Sequence, residues 1–150
     1  MQTDPQPATI LVGESHDFVV SASGTAPLGY QWQRSTDAGV TWSVLPDAAA
    51  ATFRVASAQL GDAALYRVVV TNSAGSVTSA AAALTVNQVP AFTTQPTGGT
   101  LDPGESLTLT ARAAIGTPTP GYQWKRNNVA IPGATAASYT IESASGADNG

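Results

Sequence analysis

The sequence predicts an all-β protein built from two β-sandwiches in tandem, and three observations support that prediction. Apolar and polar residues alternate at the period of two that strands require. Turn residues such as Gly, Pro, Asn and Asp separate these short runs, and one long pattern occurs twice. No segment shows a sustained apolar stripe at helical spacing. Short strands between regular turns are typical of sandwich folds.

The repeat has a spacing of about 90 residues, which is the size of one small sandwich and too long for a solenoid unit. Two motifs occur in both halves in the same order, Gly13-Glu14-Ser15 with Gly104-Glu105-Ser106 and Gly29-Tyr30-Gln31-Trp32 with Gly121-Tyr122-Gln123-Trp124. Asp62 then corresponds to Asp148, so the second copy is about six residues shorter in one loop. We therefore predict a first domain over 1–87 and a second over 88–150.

Strand positions follow from the alternation. In the first copy the inward set on an early strand is Phe18, Val20 and Ala22, and on a later strand it is Tyr66, Val68 and Val70. Leu107, Leu109 and Ala111 repeat the early strand in the second copy. A looser alternation from Val77 to Val86 predicts the last strand of the first domain. The second copy ends before any counterpart of Leu65–Val86.

The motifs around Trp32 and Tyr66 resemble those of bacterial immunoglobulin-like domains of the intermediate type. The resemblance is carried by Pro27-Leu28-Gly29-Tyr30-Gln31-Trp32 and by Asp62-Ala63-Ala64-Leu65-Tyr66-Arg67-Val68. It implies that Trp32 and Trp124 are core tryptophans and that Tyr66 forms the tyrosine corner. Val20 and Val68 stand where the family's paired cysteines would be, which implies tandem copies without the disulfide. Fibronectin type III is less similar, because its core Trp lies on a different strand.

In terms of this family, the second domain is expected to be truncated after the turn between strands E and F, without strands F and G. Strand F normally pairs with strand C, so its loss would leave Gly121–Arg126 as an edge and uncover one face of Trp124. Removing cover from a large aromatic costs about 3–5 kcal/mol. Two explanations stay open, a shortened gene or chain and a partner chain that donates the missing strands.

Composition excludes several classes of partner. A net charge of −4 with only 6 Lys and Arg does not provide the basic clusters that bind nucleic acid. No apolar run reaches the ~18 residues of a membrane span, so no membrane insertion is expected. The absence of Cys gives no information on the redox compartment. Residues 1–5 do not resemble a signal peptide, which leaves a cytosolic protein or a chain cut from a longer precursor.

The reactive side chains do not assemble into a catalytic, cofactor or metal site. His16 is the single histidine, so neither a catalytic triad nor a multi-histidine zinc site can form. The ten carboxylates are dispersed, without the pairing of a glycosidase or the alternation of a calcium loop. We therefore expect no enzyme and no cofactor.

Aromatic residues are the better candidates for ligand contact. Trp42 lies in the 35–43 segment that the second copy lacks, where it could stack on a sugar ring or enter a protein groove. The alternative is that Trp42 covers an edge of its own sandwich. Tyr30 shares the strand parity of Trp32, so it lies either at the rim of the core or on an exposed platform. Trp42 and Tyr30 are the two candidate ligand contacts.

Three functions fit these features. The leading one, implied by the resemblance, is a non-catalytic structural or adhesive module of a larger secreted or cell-surface bacterial protein, next to further immunoglobulin-like repeats and with an unidentified protein or glycan ligand. The second is a carbohydrate-binding accessory module of a polysaccharide-active enzyme, with Trp42 and Tyr30 as contacts. The third is a subunit that assembles by strand donation.

Overall fold

A computed structural model describes residues 1–148, apart from the side chains of residues 114 and 115. Residues 149 and 150, which the predicted second domain included, lie outside that range. The chain divides into a first unit, Met1–Gln88, and a second unit, Val89–Gly150. The structure is all-β, as predicted, with short 3-10 turns only. In the described part, no helix is long and apolar enough to span a membrane.

The first unit contains eight strands. They are β1 (Ala8–Leu11), β2 (His16–Val19), β3 (Gly29–Ser35), β4 (Ser43–Val44), β5 (Thr52–Val55), β6 (Ala64–Asn72), β7 (Gly75–Thr78) and β8 (Ala82–Thr94), the last of which runs on into the residues of the second unit. A 3-10 turn over Leu60–Asp62 precedes β6.

These strands form a large and a small sheet. The large sheet has the order β1-β8-β6-β3-β4, with β7 also paired to β6. β1 pairs with β8 in parallel, whereas β6 is antiparallel to both β3 and β8. The small sheet consists of β2 and β5. Side chains of alternate parity fill the space between the two sheets, as the period of two predicts.

Aromatic rings form the centre of the first unit's core. Trp32 is 0% exposed and donates its indole N–H to the Ala50 carbonyl at 2.9 Å. The Tyr66 ring stacks on Phe18 and Phe53, with centroid distances of 4.9 and 5.8 Å. Such aromatic contacts stabilise the folded state beyond the effect of their buried area. They support a core that has no disulfide bond.

Val20 and Val68, at the expected cysteine positions, are both buried in this core. The Tyr66 hydroxyl donates to the Asp62 carbonyl at 2.9 Å, which is the corner geometry that the resemblance implied. Burial raises the pKa of Tyr66 above its usual value. The hydroxyl therefore stays protonated and keeps donating that hydrogen bond.

The second unit has fewer strands within its described residues. They are β9 (Leu107–Thr110), β10 (Arg112–Thr117), β11 (Lys125–Arg126), β12 (Val129–Ala130) and β13 (Ser138–Ile141). β9 pairs with β13, and β11 pairs with β12, both antiparallel. β10 pairs with β8, whose residues from Val89 onward belong to this unit.

The two units repeat the same hydrogen bonds at equivalent residues. Trp124 donates its indole N–H to the Ala136 carbonyl at 2.9 Å, as Trp32 does to Ala50. Leu11 N donates to Glu14 Oε2 as Asp102 N donates to Glu105 Oε2. Gln31 Nε2 donates to Leu45 O as Gln123 Nε2 donates to Ile131 O. Gln59 N donates to Asp62 Oδ2 as Ser145 N donates to Asp148 Oδ2. The two units therefore share these local hydrogen bonds.

Trp124 is the residue that we expected at a core position with one face uncovered. It is half-buried, whereas Trp32 is fully buried. In the first unit β6 lies directly beside β3, and Val68 of β6 pairs with Trp32 of β3. Among residues 89–148 no strand takes the corresponding place beside Trp124. The matching hydrogen bond places the Trp124 indole as it places the Trp32 indole. Solvent is excluded from Trp32 by the neighbouring strand β6.

Candidate binding surface around Trp42

The segment before Trp42 is a tightly hydrogen-bonded loop. The Asp37 carboxylate accepts bonds from the Thr41 backbone N–H at 2.9 Å, from the Thr41 hydroxyl at 2.6 Å and from the Ser35 hydroxyl at 2.7 Å. Ala38 and Gly39 have positive φ angles of 58° and 91°, which close the turn. Short side-chain acceptors and a glycine are the residues that such loops require.

These bonds fix the ionisation state of Asp37. The Thr41 hydroxyl, the Thr41 N–H and the Ser35 hydroxyl together lower the pKa of Asp37 from 3.8 to about 2. Donors that bond the ionised form favour it. The loop is therefore held by a carboxylate that stays charged well below neutral pH.

Trp42 packs on the outer face of the large sheet, the face opposite the core. Tyr66 and Val68 of β6 point into the core, so Arg67 between them points outward. The Arg67 guanidinium lies over the Trp42 ring, with Cζ 4.0 Å from the ring centroid. The Arg67 Nε–H donates to Gln33 Oε1 on β3 at 2.8 Å. Gln33 and Arg67 are directly opposite each other in the β3–β6 pairing.

The polar atom of the indole is already used inside the protein. Trp42 Nε1 donates to the Gly39 carbonyl at 3.1 Å, and Arg67 occupies one face of the ring. Trp42 is half-buried as a result. It therefore covers its own sheet, which was the alternative to a free stacking platform, and it has no free N–H with which to hold a ligand.

Tyr30 lies on the other side of the same sheet. It is half-buried and packs against the core cluster, in line with its parity with Trp32. Trp42 and Tyr30 are consequently on opposite faces and do not form one site, contrary to their pairing as glycan contacts. The alternation along β3 separates them, because inward and outward positions cannot share a surface.

Exposed valines extend the surface around Trp42. Val40, at the tip of the loop, is 81% exposed, and Val44, on the edge strand β4, is 55% exposed. We call Val40, Trp42, Val44, Arg67 and Gln33 the outer ledge. Aromatic residues and Arg are enriched in the centres of protein interfaces. Sequence reasoning missed Arg67 and Gln33, although their outward parity was readable, because the order of the strands was not.

The histidine and the carboxylates of the described residues do not cluster. Nowhere in residues 1–148 do three or more His, Asp or Glu side chains gather in a way that could hold a metal ion. Asp17 is engaged by Arg54 in an exposed ion pair at 3.0 Å, and Asp148 is engaged by Arg126 at 2.8 Å. Both carboxylates stabilise surface geometry at modest strength.

Two curated proteins are similar to this chain in sequence. Endoglucanase C of Cellulomonas fimi is 35% identical over 122 residues, which are 81% of this chain and 11% of that protein. Hemicentin-2 of Mus musculus is 35% identical over 118 residues, 78% of this chain and 2% of that protein. The chain thus spans only a small part of each relative.

Solved structures of immunoglobulin domains share the fold. The N-terminal four Ig domains of Dscam1 isoform 6.9 match with a TM-score of 0.74 at 20% identity, over 97% of this chain and 38% of that one. The N-terminal eight Ig domains of Down Syndrome Cell Adhesion Molecule isoform 1.30.30 match with a TM-score of 0.63 at 21% identity, over 95% and 19%. The fold is therefore immunoglobulin-like.

One family matches more than half of the chain, over residues 5–88, which are nearly the whole first unit. The chain therefore belongs to the family described as a domain of unknown function, DUF8696.

Proposed function

We propose that this chain is a non-catalytic adhesive and structural module of a larger bacterial protein that is secreted or exposed at the cell surface, beside further immunoglobulin-like repeats. The outer ledge carries this proposal. It presents exposed valines and an Arg–Trp pair on the outer face of the large sheet, a composition suited to a protein partner. The likeness to immunoglobulin domains of a cell adhesion molecule supports the same class of role.

The proposed partner is a protein rather than a small molecule. The ledge is built on β3, β4 and β6 of a rigid sheet, and Arg67 and Trp42 hold each other in place. Pre-ordered side chains lose little entropy on binding, which favours a protein contact.

The test is attachment of beads coated with the chain to bacterial cells, before and after the cells are treated with protease. We expect attachment that protease removes and that Val44→Asp weakens severalfold. Val19→Asp is the matched control, because Val19 is 56% exposed on β2 of the small sheet and Val44 is 55% exposed on β4 of the large one. Equal attachment of beads that carry either variant would contradict the adhesive role. Attachment of uncoated beads at the same level as coated beads would contradict it as well.

A carbohydrate-binding accessory module is the second candidate, because endoglucanase C is 35% identical over most of this chain. The Trp42 N–H is bonded to the Gly39 carbonyl, and Arg67 covers one face of the Trp42 ring. Both contacts count against stacking of a sugar on Trp42. Co-sedimentation with insoluble cellulose and xylan decides between the two. Binding that Trp42→Ala abolishes would favour the carbohydrate role, and absence of sedimentation would remove it.

A further inference from the structure

Arg67, in the outer ledge, is a positive charge that has no acidic partner within residues 1–148. The first unit contains three arginines against six Asp and Glu residues. Arg54 pairs with Asp17. Arg34 donates to the Gly61 carbonyl. The arginine that remains without such a partner therefore lies on the surface that we propose for adhesion, although carboxylates outnumber arginines around it.

The end of the Arg67 side chain is ordered, and its two terminal nitrogens are unused. The Nε–H donates to Gln33, and Cζ lies 4.0 Å from the centroid of the Trp42 ring. Nη1 and Nη2 lie on the side of the planar guanidinium that is remote from Nε, and neither donates to a residue of the described chain. These two nitrogens form the fork that binds both oxygens of a carboxylate. Because Trp42 and Gln33 already restrict the side chain, such a bond would cost little further entropy.

An exposed valine lies in the same row of the sheet as this fork. Arg67 pairs with Gln33, and Gln33 pairs with Val44, so the three side chains share the outer face. Neighbouring strands are about 4.8 Å apart, and the Arg67 side chain already reaches Gln33 on the strand between. The fork is therefore about 5–10 Å from Val44, and alternate residues of an extended segment are about 7 Å apart on one face.

The charge of the ledge favours a carboxylate over a phosphate. A phosphate group carries about two negative charges at neutral pH, and its binding sites combine several basic side chains or backbone N–H groups. Arg67 is the one charged residue of the ledge, in a chain of net charge −4. A single guanidinium matches the single charge of an Asp or Glu side chain. Val44, which is 55% exposed, matches an aliphatic side chain beside it.

We propose that the outer ledge binds an extended segment of another protein in which an Asp or Glu lies two positions from an aliphatic residue. The carboxylate bonds Nη1 and Nη2 of Arg67, and the aliphatic side chain packs on Val44. The proposal rests on the adhesive role of the ledge and adds the chemistry of its partner. The charge pair sets the register of the segment and makes its binding depend on salt, and the apolar contact adds affinity.

The experiment selects binding peptides without assuming their sequence. A display library of random nine-residue peptides is first depleted on the Val44→Asn chain, which removes peptides that bind elsewhere, and is then selected on the unaltered chain. Asn is neutral, so the depletion introduces no preference for charge. We expect the enriched peptides to share an acidic residue two positions from Val, Leu or Ile.

A double-mutant cycle then tests the contact itself in an anisotropy titration of the tightest peptide. Replacing its acidic residue by the corresponding amide, or Arg67→Gln in the chain, should each weaken binding about three- to tenfold at low salt. The two changes together should weaken it no more than either alone, because both remove the same contact. Arg54→Gln is the matched control. It removes the same charge from an arginine on β5 of the small sheet, and the affinity should not change.

Three results would overturn the carboxylate contact: no enrichment, enriched peptides without an acidic residue, or equal losses for Arg67→Gln and Arg54→Gln. The bead assay separates this contact from the adhesive role. Attachment that Val44→Asp weakens and Arg67→Gln does not would keep the adhesive role and remove the contact. Absence of attachment would remove the adhesive role, and the peptides would still decide the contact. Attachment that survives protease and that polygalacturonate competes away would assign the carboxylate to a polysaccharide and overturn the protein partner.

Discussion

The Arg67 guanidinium lies over the Trp42 indole, with Cζ 4.0 Å from the ring centroid, and its Nε–H is held by Gln33. This pair joins the loop before β4 to the middle of the large sheet. An Arg on a partly exposed Trp is worth about 0.5–1 kcal/mol, and more as water is removed. The same contact that orders the outer ledge therefore also stabilises the first unit.

Arg67→Ala should lower the free energy of unfolding of the first unit by about 1 kcal/mol, because the contact with Trp42 and the bond to Gln33 are both lost. The measurement is urea denaturation, followed by hydrogen exchange in the 64–72 segment. Arg54→Ala is the control, since Arg54 forms an exposed ion pair with Asp17 and an exposed hydrogen bond to the Ser15 hydroxyl, without an aromatic ring beneath it. A double-mutant cycle with Trp42→Ala that yields no coupling would argue against the stacking.

The Asp37 loop should loosen only in strong acid. The folded-state pKa of Asp37, about 2, is below its usual 3.8, so the carboxylate stabilises the loop at pH values above about 4. That contribution is lost as the pH falls from about 4 to about 2. The measurement is an NMR titration of the Thr41 amide, which donates to Asp37. A midpoint near 4 would show that the hydrogen bonds do not persist in solution.

Tyr66→Phe should destabilise the first unit by about 1 kcal/mol, because the hydroxyl that bonds the Asp62 carbonyl is removed while the ring remains. The midpoint of urea unfolding reports the change. Tyr30→Phe removes a hydroxyl from a half-buried tyrosine of the same unit and serves as the comparison. Equal effects of the two substitutions would mean that the corner bond contributes nothing specific.

Trp32→Ala should cost far more than Trp124→Ala, although the two residues occupy equivalent positions. Trp32 is 0% exposed, so its removal leaves a cavity that costs about 3–5 kcal/mol. Trp124 is half-buried, and its removal should cost on the order of 1–2 kcal/mol. Hydrogen exchange in each unit separates the two effects. If the losses were equal, Trp124 would be covered in solution by residues from elsewhere.

Several features of the site were predictable from the residues alone. Parity placed Val20, Tyr66 and Val68 on inward positions, the family resemblance implied a core role for Trp32, and all four are buried. Parity also allowed Tyr30 at the rim of that core, where it lies. The outer ledge was only half predictable. Trp42 stood out as an aromatic in an extra loop, but nothing in the local pattern indicated that Arg67 would lie over it.

The sequence by itself determined the all-β class, the repeat and the inward side of each strand. These depend on local geometry, because the backbone of a strand turns every second side chain to the same face. Only the tertiary structure decided that β6 lies between β3 and β8 and that Arg67 meets Trp42. Such outcomes depend on which distant strands pack together. The cooperative burial of the whole core decides which strands pack together. A short stretch of sequence does not contain that information.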